Sequence, residues 1–208
     1  MLAGLAEVVE TATAALESFD HTRALETAET FFWTFCDDYL ELVKDRAYGA
    51  DGESSVVVTP EQTASARAAL VIALDTLLRL FAPVLPFATE EVWSWWRTEV
   101  SPSIHLAPWP EAGPLREAAG DADPRQLAVV GEALAAVRKV KSEAKVSQRT
   151  PVLAGTLAVP AESLELVESA LDDVRAAGRA ATLRAAGDDH VEQVELRGAE
   201  LGEAPAKR

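Results

Sequence analysis

Cysteine is nearly absent: Cys36 is the only one in 208 residues. An intramolecular disulfide is therefore impossible, and a reducing, cytoplasmic setting is the expectation. Cys36 lies among Phe32, Phe35 and Tyr39 in a helical apolar pattern, so it reads as a small buried hydrophobe rather than a reactive thiol. Long hydrophobic runs are missing as well. The longest, Ala68 to Leu74, ends at Asp75, far short of a membrane span. Glu7 puts acid near the N-terminus, where a secretory signal carries base. Basic charge is scarce, with 19 Lys and Arg against 34 Asp and Glu and a net charge of −15. Such a chain is poorly suited to indiscriminate phosphate binding, so any nucleic-acid contact must be local and shaped.

Catalytic patterns are also lacking. His21, His105 and His190 are widely separated and have no metal-ligand neighbours at helical or turn spacing. Adjacent acids such as Asp37-Asp38, Glu90-Glu91 and Asp172-Asp173 diverge on a helix and read as solvated faces or first-turn acids. No P-loop, dinucleotide fingerprint or nucleophile elbow is present. The expectation is a chain with no catalytic residues, no metal and no cofactor of its own.

What is present is helical periodicity. With 49% hydrophobic residues, the chain can bury one good core, or a main domain plus a small satellite. Leu5, Val8, Val9, Ala12, Ala15, Leu16 and Phe19 predict a first helix over residues 3–19. Asp20 is a plausible cap for a second, reaching about Tyr48 with a stripe through Leu25, Ala28, Phe32, Phe35, Tyr39 and Leu42. Gly49 to Gly52 break it, and Glu53 to Pro60 read as a loop. A third, largely apolar helix ends before Pro83 and Pro86. Thr89 then caps a short helix carrying Trp93 and Trp96, and Ser101 to Leu115 reads as irregular. Asp123-Pro124 predicts the start of a long helix to about Val146. Beyond Pro151 the texture changes to a strand over 152–159, a helix over 161–177 and short strands over 181–184 and 191–196. The expected fold is mainly α: a bundle of about five helices over 1–120, a long post-bundle helix with a basic end over 121–150, a small α+β appendage over 151–197 and a disordered tail over 198–208.

Residues 131–150 form the one basic island, with five bases against two acids. Leu127, Val130, Leu134 and Val137 make a buried stripe, and Lys141 and Lys145 continue it at intervals of four, with Arg138 at its edge. Either the helix runs off the end of the core and offers cations to phosphates, or its lysines complement the C-terminal dipole. Periodicity does not choose between them. Phe31 and Trp33 lie off the stripe of the second helix, where an exposed ring can stack an unpaired base or make a subunit contact.

Four segments carry a resemblance. Ala24 to Arg46, with its Phe-Trp-Thr-Phe-Cys-Asp-Asp-Tyr run, resembles the second bundle helix of the anticodon-binding domain of valyl-tRNA synthetases. Leu78 to Trp93 is similar to a signature shared by the class I valine, isoleucine and leucine enzymes, and Ser103 to Pro110 to the segment that follows it there. Val137 to Pro151, with Lys-Ser-Glu-Ala-Lys-Val-Ser, resembles the helix after the bundle in one branch of the valine enzymes. The resemblance implies recognition of a tRNA anticodon stem-loop, with valine tRNA the expected partner. It also implies positioning of that tRNA for a catalytic core that this chain lacks. Residues matching basic places in the family pattern are Lys44, Arg46, Arg138, Lys139, Lys141, Lys145 and Arg149, and Trp33 is the candidate for loop contact. The family's His-x-Gly-His and Lys-Met-Ser-Lys-Ser motifs are missing, so ATP and Mg2+ would belong to the absent core. So is the long basic coiled coil with which many valine enzymes end. Alternatives are a stand-alone paralogue acting as a tRNA-binding or protein-interaction module, and an isoleucine- or leucine-type domain.

Overall fold

A computed structural model of the chain describes residues 1–49, 56–97, 99 and 101–203. The chain divides into two compact units, each made of two stretches: Met1–Cys36 with Arg67–Pro124, and Asp37–Ala66 with Arg125–Arg208. Contacts thus group residues differently from the expected boundaries at 120, 150 and 197.

In the first unit, α1 (Leu2–Glu17) packs against α2 (His21–Thr34) and α6 (Ala112–Ala119). The stripe predicted for α1 is buried at Leu5, Val8, Val9, Ala12 and Ala15, while Phe19 beyond the helix end is exposed. Asp20 caps α2, its Oδ1 accepting from the Arg23 amide at 3.0 Å. Two cross-links fasten α1 to the later chain. Trp109 Nε1 donates to Thr13 Oγ1 at 2.8 Å, and Arg116 pairs with Glu10 at the surface. The end of α4 (Pro60–Phe81) contributes Leu78 to a cluster with Ala82, Ile104 and Trp93 of α5 (Pro86–Ser94). Trp93 is 1% exposed, and its indole N–H is satisfied by the Ser101 carbonyl at 3.0 Å. The buried Asp75 carboxylate takes Arg79 and Arg97, whose guanidinium also lies over the rings of Trp93 and Trp96.

The second unit carries the sheet. The α3 helix (Leu40–Tyr48) faces α9 (Leu171–Gly178), and α7 (Gln126–Glu143) packs on α8 (Leu164–Glu168), α9 and β3 (Glu195–Leu201). The strand order is β2-β1-β3. β1 (Val152–Val159) pairs in parallel with β2 (Ala180–Gly187), from Val152 opposite Ala180 to Val159 opposite Gly187, and antiparallel with β3. Parallel neighbours need a crossover, and α8 and α9 supply it. Its apolar residues Val167 and Val174 are fully buried with Val152, Leu157 and Val159. Gly178 lets α9 approach α7: a Cβ there would lie 3.1 Å from Val137 Cγ1. At the start of α4, Thr59 and Gln62 form a reciprocal capping box with Pro60 between them.

Several expectations are corrected in detail. The run from His21 to Tyr48 is not one regular helix, because a π-helical turn over Phe35–Tyr39 interrupts it. α5 starts at Pro86, which suits a first helical position, and Thr89 is an interior residue whose hydroxyl donates to the Leu85 carbonyl. α6 was hidden within and beyond an irregular reading because Gly113 and Pro114 fall in its first turn, where proline costs no hydrogen bond. The helix expected over 161–177 is a 3-10 turn followed by α8 and α9. Residues 198–201 of the tail expected to be disordered belong to β3, which pairs with β1 as far as Leu201, and residues 204–208 of that tail lie outside the described residues. The expected Gly49–Gly52 break and the loop from Glu53 lie mostly outside the described residues. The mainly helical class with a small C-terminal sheet stands.

Candidate nucleic-acid interface

The sequence candidates on the second unit fall into two groups. Lys44, Arg46 and Arg138 are held by the protein's own acids. Arg46 makes a two-point contact with Asp173, Nε to Oδ1 at 2.7 Å and Nη2 to Oδ2 at 2.8 Å, tying α3 to α9. Burial pushes the Asp173 carboxyl above its ordinary range, and the Arg46 guanidinium pulls it back. Glu41 lies between Lys44 at 3.3 Å and Arg138 at 4.0 Å. Asp38 is likewise raised by burial and lowered by the nearby Arg138. Arg46 is thus committed to a largely buried carboxylate, while Lys44 and Arg138 share the part-exposed Glu41.

Lys141 is the clearest correction. The spacing that continued the α7 stripe is right, and the stripe remains buried there: Lys141 is 1% exposed. Its Nζ donates to the carbonyls of Gly178 at 2.7 Å and Gln148 at 3.1 Å. Burial, with Arg179 and Arg138 nearby, lowers it to about 8. It enters no ion pair among the described residues and cannot touch a phosphate from this depth.

Lys139, Lys145 and Arg149 form the second group: all exposed, with no ion pair among the described residues. The chain reverses at the end of α7 through a Schellman motif. The Val146 amide donates to the Lys141 carbonyl and the Lys145 amide to the Ser142 carbonyl, both at 3.0 Å. Lys145 occupies the left-handed position of this motif, φ 55°, where glycine is usual. Gln148 folds back, its Nε2 donating to the Arg138 carbonyl and Ser142 Oγ. Arg149 then leads into β1.

Sequence reading missed Arg179. It is exposed, stands between α9 and β2, and is left-handed too, with φ 50°. Parallel pairing of Val152 with Ala180 sets the beginnings of β1 and β2 side by side, and the Val152 amide donates to the Arg179 carbonyl at 3.0 Å. Arg149 and Arg179 therefore precede neighbouring strands at one end of the sheet. No local pattern signals this, since only the strand register joins them. Arg184 on β2 is a further exposed cation with no ion pair among the described residues. Trp33 belongs to the other unit. It is 54% exposed, with an edge contact to Phe32 and its indole N–H 3.4 Å from Glu29 Oε1.

Among the described residues, no group of three or more His, Cys, Asp or Glu is placed to hold a metal ion, and no helix is long and apolar enough to cross a membrane.

A family model described as the anticodon-binding domain of tRNA ligase matches residues 1–157. Similar curated proteins are named valine–tRNA ligase. That of Bifidobacterium longum (strain DJO10A) is 46% identical over 217 residues, covering 100% of this chain and 24% of the relative. That of Leifsonia xyli subsp. xyli (strain CTCB07) is 53% identical over 186 residues, covering 88% and 20%. That of Thermobifida fusca (strain YX) is 55% identical over 183 residues, covering 88% and 19%. The chain spans about a quarter of the length of such relatives, or less.

Proposed function

The chain belongs to the anticodon-binding domain family of tRNA ligases, and from that premise we propose that it binds the anticodon stem-loop of a tRNA, valine tRNA being the cognate one. The observation that carries the reading is the cationic end of α7. Lys139, Lys145 and Arg149, with Arg179 and Arg184 on the same unit, are exposed and uncommitted to any carboxylate among the described residues. Cations so placed neutralise phosphates and fix register, while base contacts supply specificity. Lys44, Arg46 and Arg138 contribute less, because a phosphate would have to displace Glu41 or Asp173. Trp33, on its own unit, is a separate candidate for stacking on an unpaired base. The valine assignment draws on the names of the relatives. Holding the stem-loop would position the tRNA for aminoacylation by a catalytic domain, which is where ATP and Mg2+ would serve; the setting is cytoplasmic.

The test is titration of the pure chain into the anticodon hairpin of valine tRNA over a salt series, beside an isoleucine hairpin and a valine hairpin with a changed anticodon. Salt-sensitive binding that is lost on changing the anticodon is expected. No binding at low salt contradicts the RNA reading, and equal binding to all three hairpins contradicts the valine assignment.

A further inference from the structure

Lys141 sits at an odd place for a lysine. It is fully buried, makes no ion pair among the described residues, and has the guanidinium groups of Arg138 and Arg179 as electrostatic neighbours. Burying an ammonium is costly, and cationic neighbours add to the cost. A leucine or methionine would pack in the same stripe without that cost, so packing alone does not account for the residue. What an apolar side chain cannot do is donate. The two carbonyls that accept from Nζ belong to Gln148 and Gly178. Each is the peptide unit immediately before an exposed arginine, Arg149 in one case and Arg179 in the other.

We infer that Lys141 is a positioning residue for the cationic surface, its buried ammonium clamping the peptide units that precede Arg149 and Arg179 so that both arginines are presented from one end of the sheet. Three features on other elements converge on the same clamp. The Schellman turn at Lys145 aims the chain back over the end of α7, Gly178 brings the end of α9 down against Val137, and the Val152–Arg179 hydrogen bond ties the two strand starts. The backbone from which the two arginines spring is then fixed in advance rather than carried on two independent loops, which lowers the ordering cost of binding. This inference rests on the reading that the surface takes RNA phosphates.

The experiment compares the native chain with Lys141→Met, Arg149→Ala/Arg179→Ala and the triple variant, using two readouts. The first is amide hydrogen exchange over residues 148–152 and 178–180. The second is affinity for the valine anticodon hairpin against salt. In Lys141→Met, exchange is expected to accelerate in those two segments while α1 and α2 keep their protection. Its salt slope is expected to fall by about 1.5, the loss of two phosphate contacts at roughly 0.7–0.9 each. The double variant is expected to lose the same slope and the triple no more, since coupled groups are non-additive. Unchanged exchange in the two segments overturns the clamp. Faster exchange with a full slope, or an additive loss in the triple, overturns the positioning of the arginines. If the native chain binds no hairpin, the RNA reading fails and takes the arginine pair with it, while exchange alone still decides the clamp. Gly178→Ala covers the case in which Lys141→Met does not fold. It leaves the ammonium in place and crowds Val137 Cγ1 at 3.1 Å, and where exchange over residues 178–180 accelerates its slope is expected to fall by about 0.7–0.9. A folded Gly178→Ala chain with accelerated exchange there and the full slope also overturns the inference.

Discussion

Replacing Lys145 with glycine should move stability and RNA binding in opposite directions. Lys145 has φ 55° at the turn that ends α7, and its exposed side chain has no ion pair among the described residues. A left-handed backbone costs an L residue about 1–2 kcal/mol. Glycine relieves that strain but gives up about 0.5–1 kcal/mol of additional chain entropy on folding. The balance is a stabilisation of about 0.5–1 kcal/mol, with the Lys145 and Val146 amides still bonded to Ser142 and Lys141 because those bonds are backbone. For a chain of this size the melting temperature should rise by about 1–4 °C. Binding to the hairpin should weaken, with the salt slope falling by about 0.7–0.9 for one lost phosphate contact. Phe19→Gly is the control. Phe19 is also left-handed and exposed, so the same relief of strain is expected with no change in RNA affinity. Urea denaturation and fluorescence anisotropy over salt read the two quantities. Destabilisation of Lys145→Gly by more than about 1 kcal/mol would refute the reasoning, since the side chain would then be holding the turn. Unchanged RNA affinity would remove Lys145 from the surface.

Arg46→Ala strands the partly buried Asp173 carboxylate and should cost about 2–3 kcal/mol in urea denaturation, with hairpin binding of the folded chain unchanged; Arg46→Ala/Asp173→Asn should recover part of the loss. Lys141 has a native value of about 8, below its unfolded value, so the unfolded chain binds more protons between about pH 8 and 10. Native stability should therefore rise with pH across that window relative to Lys141→Met; parallel curves would contradict the assignment. Trp93→Ala should destabilise by about 3–5 kcal/mol in urea, since it empties the fully buried centre of the cluster with Leu78, Ala82 and Ile104.

Helices α1, α4 and α7 were legible because their stripes repeat with the helical period; the stripes of α1 and α7 are largely buried, whereas in α4 Ala66, Ala73, Leu77 and Leu80 are buried and Leu74 is exposed. The π turn at Phe35–Tyr39 was not, because it shifts the register without altering composition. The sequence reading placed Lys141 on the correct face and then misjudged what covers it. Gly178, 37 residues further on, and the fold-back at Gln148 extend the core beyond the last apolar residue of the stripe. Arg46 failed as a free cation for a similar reason, since Asp173 lies 127 residues away and no local pattern announces it. Lys139, Lys145 and Arg149 were recognisable as an island of like charge. Their companion Arg179 depends on the pairing of β1 with β2, which is a tertiary fact. The resemblance to valine enzymes carried the family assignment, which spacing alone could not reach.

The most direct test of the central claim sets the open cations against the engaged ones. Hairpin affinity over salt should be measured for Lys139→Ala/Lys145→Ala/Arg149→Ala and, separately, for Lys44→Ala. The triple variant is expected to lose about 2–3 from the slope, in line with three phosphate contacts, while Lys44→Ala, whose ammonium already serves Glu41, keeps the native slope. A native slope in the triple variant, or a loss in Lys44→Ala alone, would contradict the claim that the end of α7 is where this domain meets its RNA.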